Sequence, residues 1–147
     1  MKLVVALLVL LLAGCASPSS PAPTAEPTPD RTWLGMVPED AFAYEGPAGE
    51  LVLIYVDETY SIGNVNASAL TWKFGEDDYT TDYFVEADDG TLWWYGRRGV
   101  WRVGRHGEKP RELTIVDGHV RFGDRSITLS DDGPPVALET PEGIFTR

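Results

Sequence analysis

Two hydrophobic regimes divide this chain of 147 residues. The first is an unbroken apolar run from Leu3 to Ala13, and the second is a series of short stretches rich in Val, Ile, Thr and aromatics, separated by Asp-Gly, Gly-Asp and Pro-Pro pairs. Short apolar runs between turn residues are the pattern of antiparallel strands, and no long helical periodicity follows the first regime. Strands are predicted near 51–58, 68–74, 80–87, 91–97, 100–104, 111–116, 119–122, 126–130 and 135–139. The fold class is all-β: an antiparallel β-sandwich or small β-barrel of about eight to nine strands built of meander hairpins, preceded by a signal helix and a disordered linker.

Two stretches fix a register. A two-residue Asp117-Gly118 loop sets Ile115 against Val120 and Leu113 against Phe122. A turn at Asp124-Arg125 then sets Phe122 against Ile127 and Val120 against Leu129. All six apolar side chains share one face, with Val116, Thr114, His119 and Arg121 on the other, and a one-residue slip would scatter them. The second hairpin turns on Asp88-Asp89-Gly90, a three-residue loop with Gly90 left-handed, which opposes Ala87 to Thr91, Val85 to Trp93 and Tyr83 to Tyr95. Val85, Trp93, Tyr83 and Tyr95 make the apolar face. Phe84, Trp94, Leu92, Glu86 and Asp82 make a mixed face, suited to packing or to a ligand surface.

The apolar run behind Lys2 is about half the ~20 residues that a membrane-spanning helix needs, and it fits the hydrophobic region of a cleaved signal. The residues after it, Leu12-Ala13-Gly14-Cys15, resemble the lipobox of bacterial lipoproteins. That resemblance implies cleavage between Gly14 and Cys15, diacylglycerol on the Cys15 thiol and a fatty chain such as palmitate on its new amino group. Two or three acyl chains hold a protein durably on a membrane where one holds only marginally. The chain thus divides into a signal peptide (1–14), a lipidated cysteine with a Pro/Ser/Ala-rich linker (15–30) and a single β domain (31–147). The expected location is the bacterial cell envelope, on the extracytoplasmic side, with the membrane as a partner through the lipidated N-terminus.

Cys15 is the only cysteine, so the domain has no disulfide and must be stable from its core alone. Charge is uneven: residues 26–89 carry fifteen acids against Arg31 and Lys73, whereas residues 90–147 carry eight acids against nine bases. A net charge of −11 argues against nucleic acid, which demands a positive footprint. The bases concentrate: Arg97, Arg98, Arg102, Arg105, Lys109 and Arg111 fall among Trp93, Trp94, Tyr95 and Trp101. Guanidinium and aromatic planes side by side hold anions or sugars by forked hydrogen bonds and stacking. The ligand-binding candidates are therefore Trp93, Trp94, Tyr95, Arg97, Arg98, Trp101 and Arg102. The competing role for the same residues is structural, with tryptophans in the core and arginines paired to the acid-rich first half.

The segment 82–110 runs from Asp82-Tyr83-Phe84-Val85 through Asp88-Asp89-Gly90 and Trp93-Trp94-Tyr95-Gly96 to Gly99-Val100-Trp101 and Gly107-Glu108-Lys109-Pro110. It resembles a secreted bacterial β domain of unknown activity, which implies an extracytoplasmic β domain and no catalytic residue. Chemistry is otherwise sparse. His106 and His119 are the only histidines, no HExxH is present, and Ser61, Ser68, Ser126 and Ser130 lie outside any Gly-x-Ser-x-Gly elbow. The acidic pairs lack the spacing of a calcium loop. No metal, cofactor or catalytic residue is assigned. The expected function is a noncatalytic, ligand-binding or interaction domain on a lipid anchor, whose partner is an envelope protein, a glycan or a small anionic ligand. The alternatives are an extracytoplasmic hydrolase using carboxylates or a histidine, and a structural accessory subunit of an envelope complex.

Overall fold

The computed structural model describes residues 32–147. Gly14, Cys15, the signal segment and the linker lie outside the described residues. The strands are β1 (Ala41–Gly46), β2 (Gly49–Ile62), β3 (Val65–Phe74), β4 (Asp78–Glu86), β5 (Leu92–Arg97), β6 (Trp101–Arg102), β7 (Arg111–Leu113), β8 (Ile115–Val116), β9 (His119–Phe122), β10 (Arg125–Thr128), β11 (Ala137–Thr140) and β12 (Gly143–Thr146). All are antiparallel in one sheet curled into a half-barrel, so the architecture is the barrel-like alternative and not two stacked layers.

Two meanders, β1 to β5 and β8 to β12, join where the first strand pairs with the last, Glu45 opposite Thr146. The segment 111–116 was expected as one strand and is two. Arg111–Leu113 bonds to β5, placing Leu113 opposite Leu92, whereas Ile115–Val116 bonds to β9. One short segment thus reaches both edges of the curled sheet, and Leu113 meets Leu92 where Phe122 was expected. β1 and β12 were unexpected additions. β1 (AFAYEG) carries one fully buried side chain, Tyr44, so its apolar signal is weak. The Tyr44 hydroxyl donates to the Pro135 carbonyl at 2.9 Å.

Alternation along the strands fills the concave side. Leu51, Leu53 and Tyr55 of β2, Leu70 and Trp72 of β3, and Phe84, Leu92 and Trp94 meet Val120, Phe122, Ile127, Leu138 and Phe145 from the second meander. Phe122 touches Trp72, Phe84 and Trp94 with ring centroids 5.1–5.9 Å apart, mostly edge-on. Leu34 and Met36, ahead of β1, complete this core. A smaller cluster of Ile62, Ala67, Ala69 and Tyr83 sits on the convex side. An irregularity between Val56 and Tyr60, where three residues of β2 face Ser68, bends the longest strand and tightens the curl.

The Asp117-Gly118 hairpin has the expected register, Ile115 opposite Val120 and Val116 opposite His119, and both loop residues have positive φ (50° and 74°) as a type I′ turn requires. The next hairpin differs. Its loop is Gly123-Asp124, with Gly123 at φ 61°, so Phe122 faces Arg125 and Val120 faces Ile127. The shift is two residues, which preserves the face of every side chain. Val120, Phe122 and Ile127 are fully buried, but Ile115 is 44% exposed because β8 is the sheet's end strand. Replacing Gly118 by Val puts a β-branched residue at φ 74°, a strain of about 1–3 kcal/mol. The expected result is a lowered Tm with unchanged secondary structure by circular dichroism.

Candidate functional site

The Asp88-Asp89-Gly90 turn forms as expected. Gly90 has φ 83°, the Ala87 N–H donates to the Thr91 carbonyl at 2.8 Å, and the Thr91 N–H donates to Asp89 Oδ1 at 2.9 Å, which holds that carboxyl below its ordinary value. Val85 opposes Trp93 and Phe84 opposes Trp94. The register then slips by one: Tyr83 pairs with Gly96 and Asp82 with Arg97, leaving Tyr95 as the extra residue of a bulge. Tyr83 therefore does not oppose Tyr95.

That bulge sets the electrostatics. Directly paired residues share a face, so the slip brings Arg97 onto the inner face with Asp82, where uninterrupted alternation would have turned it outward. The mixed face is the core face, and the face of Val85, Trp93 and Tyr95 is the half-buried outer one. Asp82 is 0% exposed. It accepts from Arg97 Nε at 2.9 Å, from the Trp94 indole at 3.1 Å and from Arg125 Nη1 at 3.3 Å. Arg97 also donates to Asp124 at 2.6 Å, and Arg125 lies over the Trp72 ring at 4.8 Å.

Burial pushes the Asp82 carboxyl up, while Arg97, Arg125 and the Trp94 N–H pull it back. Burial by itself would lower the Arg97 guanidinium, and Asp82 and Asp124 outweigh it to raise the group overall. Arg125 is lowered, chiefly by burial. This network ties β4 and β5 to β10 and so locks one meander to the other. It is a structural joint.

The remaining bases form a surface. β5 turns into β6 through Arg98, Gly99 and Val100, and the segment 98–108 then folds back along β5. The Arg98 N–H donates to the Thr81 carbonyl at 2.8 Å, and the Val103 N–H donates to the Tyr95 carbonyl at 3.0 Å. Gly96 (φ 146°) makes this fold-back feasible, since a Cβ there would lie 2.5 Å from the Trp101 carbonyl oxygen. The result is a cleft of about 330 Å³ lined by Tyr83, Arg97–Arg102, Arg105, His106 and Glu108. Tyr83 is an aromatic residue of its lining, while the Trp101 ring packs toward the core, edge-on to Trp94 at 4.8 Å and covered by the Arg111 guanidinium at 4.1 Å.

The expected cluster therefore divides. Arg97, Arg98, Trp101 and Arg102 meet at the cleft. Trp94 is core, Tyr95 packs with the convex cluster, and Trp93 faces outward opposite Val85 and Glu112. Tyr83, His106 and Glu108 line the cleft without having been singled out for it. The glycines that punctuate 96–107 were the available signal for a fold-back loop. Among the described residues, Arg98, Arg102 and Arg105 have no carboxylate within ion-pair reach, whereas Glu108 approaches Arg111 at 3.8 Å. A second hollow of about 380 Å³ lies along Ser130–Val136 and carries one base, Arg147. No three His, Cys, Asp or Glu side chains among the described residues converge as metal ligands. No family model, curated protein or solved structure matches this chain.

Proposed function

We propose that this chain is a lipid-anchored extracytoplasmic protein of a bacterial envelope, held through Cys15, whose β domain is a noncatalytic ligand-binding module. The observation that carries the binding role is the cleft of 98–108. It concentrates guanidinium groups without carboxylate partners around an aromatic residue on a chain of net charge −11. Such a concave site with a few convergent polar groups is where small ligands bind. The anchor rests on the lipobox resemblance of Leu12-Ala13-Gly14-Cys15.

Two features favour binding over the alternatives. The cleft's one carboxylate, Glu108, has no second carboxylate beside it for acid–base work. Apart from the adjacent Ile115 and Val116 of β8, the exposed large apolar side chains, Tyr79, Val100, Val136 and Ile144, lie on different strands and loops, unlike the contiguous patch of an accessory subunit. The test is to extract the native protein in detergent, denature it and identify released small molecules by mass spectrometry. An anion released by the wild type and depleted from Arg98→Gln is expected. Equal recovery from both would contradict the reading.

A further inference from the structure

The charge balance of the cleft points to a phosphomonoester as its ligand, a reading that rests on the cleft being the binding site. Arg97 is matched by Asp82 and Asp124, so its charge is spent inside the protein. Arg98, Arg102 and Arg105 remain, against Glu108, which is itself shared with Arg111. The surplus is about two positive charges. A carboxylate would cancel one, whereas a phosphomonoester carries about −1.5 to −2 at neutral pH and offers three acceptor oxygens.

Arginine forks suit the tetrahedral oxygens of a phosphate. Tyr83 and Val100 give the same cleft apolar surface, so the phosphate belongs to an organic body and not to the free inorganic ion. A volume of about 330 Å³ suits a ligand at the small end of the pocket range.

The test is calorimetric titration of the full mature protein in phosphate-free, non-ionic detergent with phenyl phosphate, benzoate and short-chain phosphatidic acid, each read as the difference between wild type and Arg98→Gln. Arg98 is exposed and makes no ion pair, so its replacement leaves the fold intact, which an unchanged Tm verifies. Phenyl phosphate should bind the wild type, bind Arg98→Gln and Arg102→Gln at least tenfold more weakly, and bind Arg121→Gln, a change on β9, unaltered. Benzoate should bind at least tenfold more weakly than phenyl phosphate. Tighter binding of the phosphatidic acid assigns the phosphate to a lipid headgroup, and weaker binding assigns it to a soluble metabolite; either order supports the inference. Benzoate binding as tightly as phenyl phosphate, with both weakened in Arg98→Gln, overturns the phosphate class and leaves the cleft as a binding site. Phenyl phosphate binding that is absent, or equal in all variants, overturns the phosphate inference, and equality in all variants overturns the cleft as well.

Discussion

Replacing Asp82 by Ala should destabilise the domain by about 3–5 kcal/mol, because it removes one partner of a buried ionic network, leaving the charge of Arg125 uncompensated and Arg97 with Asp124 alone. The Trp94 indole N–H loses its acceptor at the same time. For a domain of this size the loss corresponds to a fall in Tm on the order of 10 °C or more. Asp82→Asn keeps an acceptor for the indole and should fall between wild type and Asp82→Ala. Thermal melts of the three proteins check this, and a shift within error for Asp82→Ala would show that the network does not join the meanders.

Gly96→Val should disrupt the cleft while leaving the concave core in place. Its φ of 146° is unfavourable for a β-branched residue, and the new Cβ would lie 2.5 Å from a backbone oxygen, that of Trp101, which cannot swing aside as a side chain would. Strain and overpacking each cost about 1–3 kcal/mol. The cheapest relief is to lift the segment 98–108 from β5, separating Arg102 and Trp101 from Tyr83. The expected outcome is a lowered Tm, retained β-sheet circular dichroism and loss of phenyl phosphate binding. Retained binding at wild-type affinity would mean that the fold-back of this segment does not build the site.

Turn chemistry was the most legible part of this chain. Asp117-Gly118 and Asp88-Asp89-Gly90 both specify positive φ at a fixed place, and each sets the local pairing correctly. Asp124-Arg125 failed as a loop because Gly123 takes the positive φ and moves the turn back by one residue. The faces were still right, since the shift is even. What periodicity could not reveal was the bulge at Tyr95. It reverses the alternation after Trp94, turns Arg97 inward and makes a buried ionic centre of Asp82, a residue that by composition belongs on the surface.

The candidate site was legible as a cluster and illegible as a surface. Arg98, Trp101 and Arg102 stand out in the sequence because guanidinium groups and aromatics crowd together there. Which of them meet depends on Gly96 and on the folding back of 98–108, and that closure involves β4 through Tyr83 and Thr81, residues distant in the chain. Trp94 and Arg97 belong to the same cluster by position and to the core and its joint by structure. Arg98, next to Arg97 in sequence, takes no part in that joint and lines the cleft.

We propose a β domain tethered to a membrane, and Cys15 tests that tether most directly. Mass spectrometry of the N-terminal peptide from the native membrane fraction should find Cys15 as the first residue, carrying diacylglycerol on sulfur, while Cys15→Ser accumulates as unprocessed chain without lipid. A native chain recovered from the soluble cytosolic fraction with Met1 intact and an unmodified Cys15 thiol would contradict it.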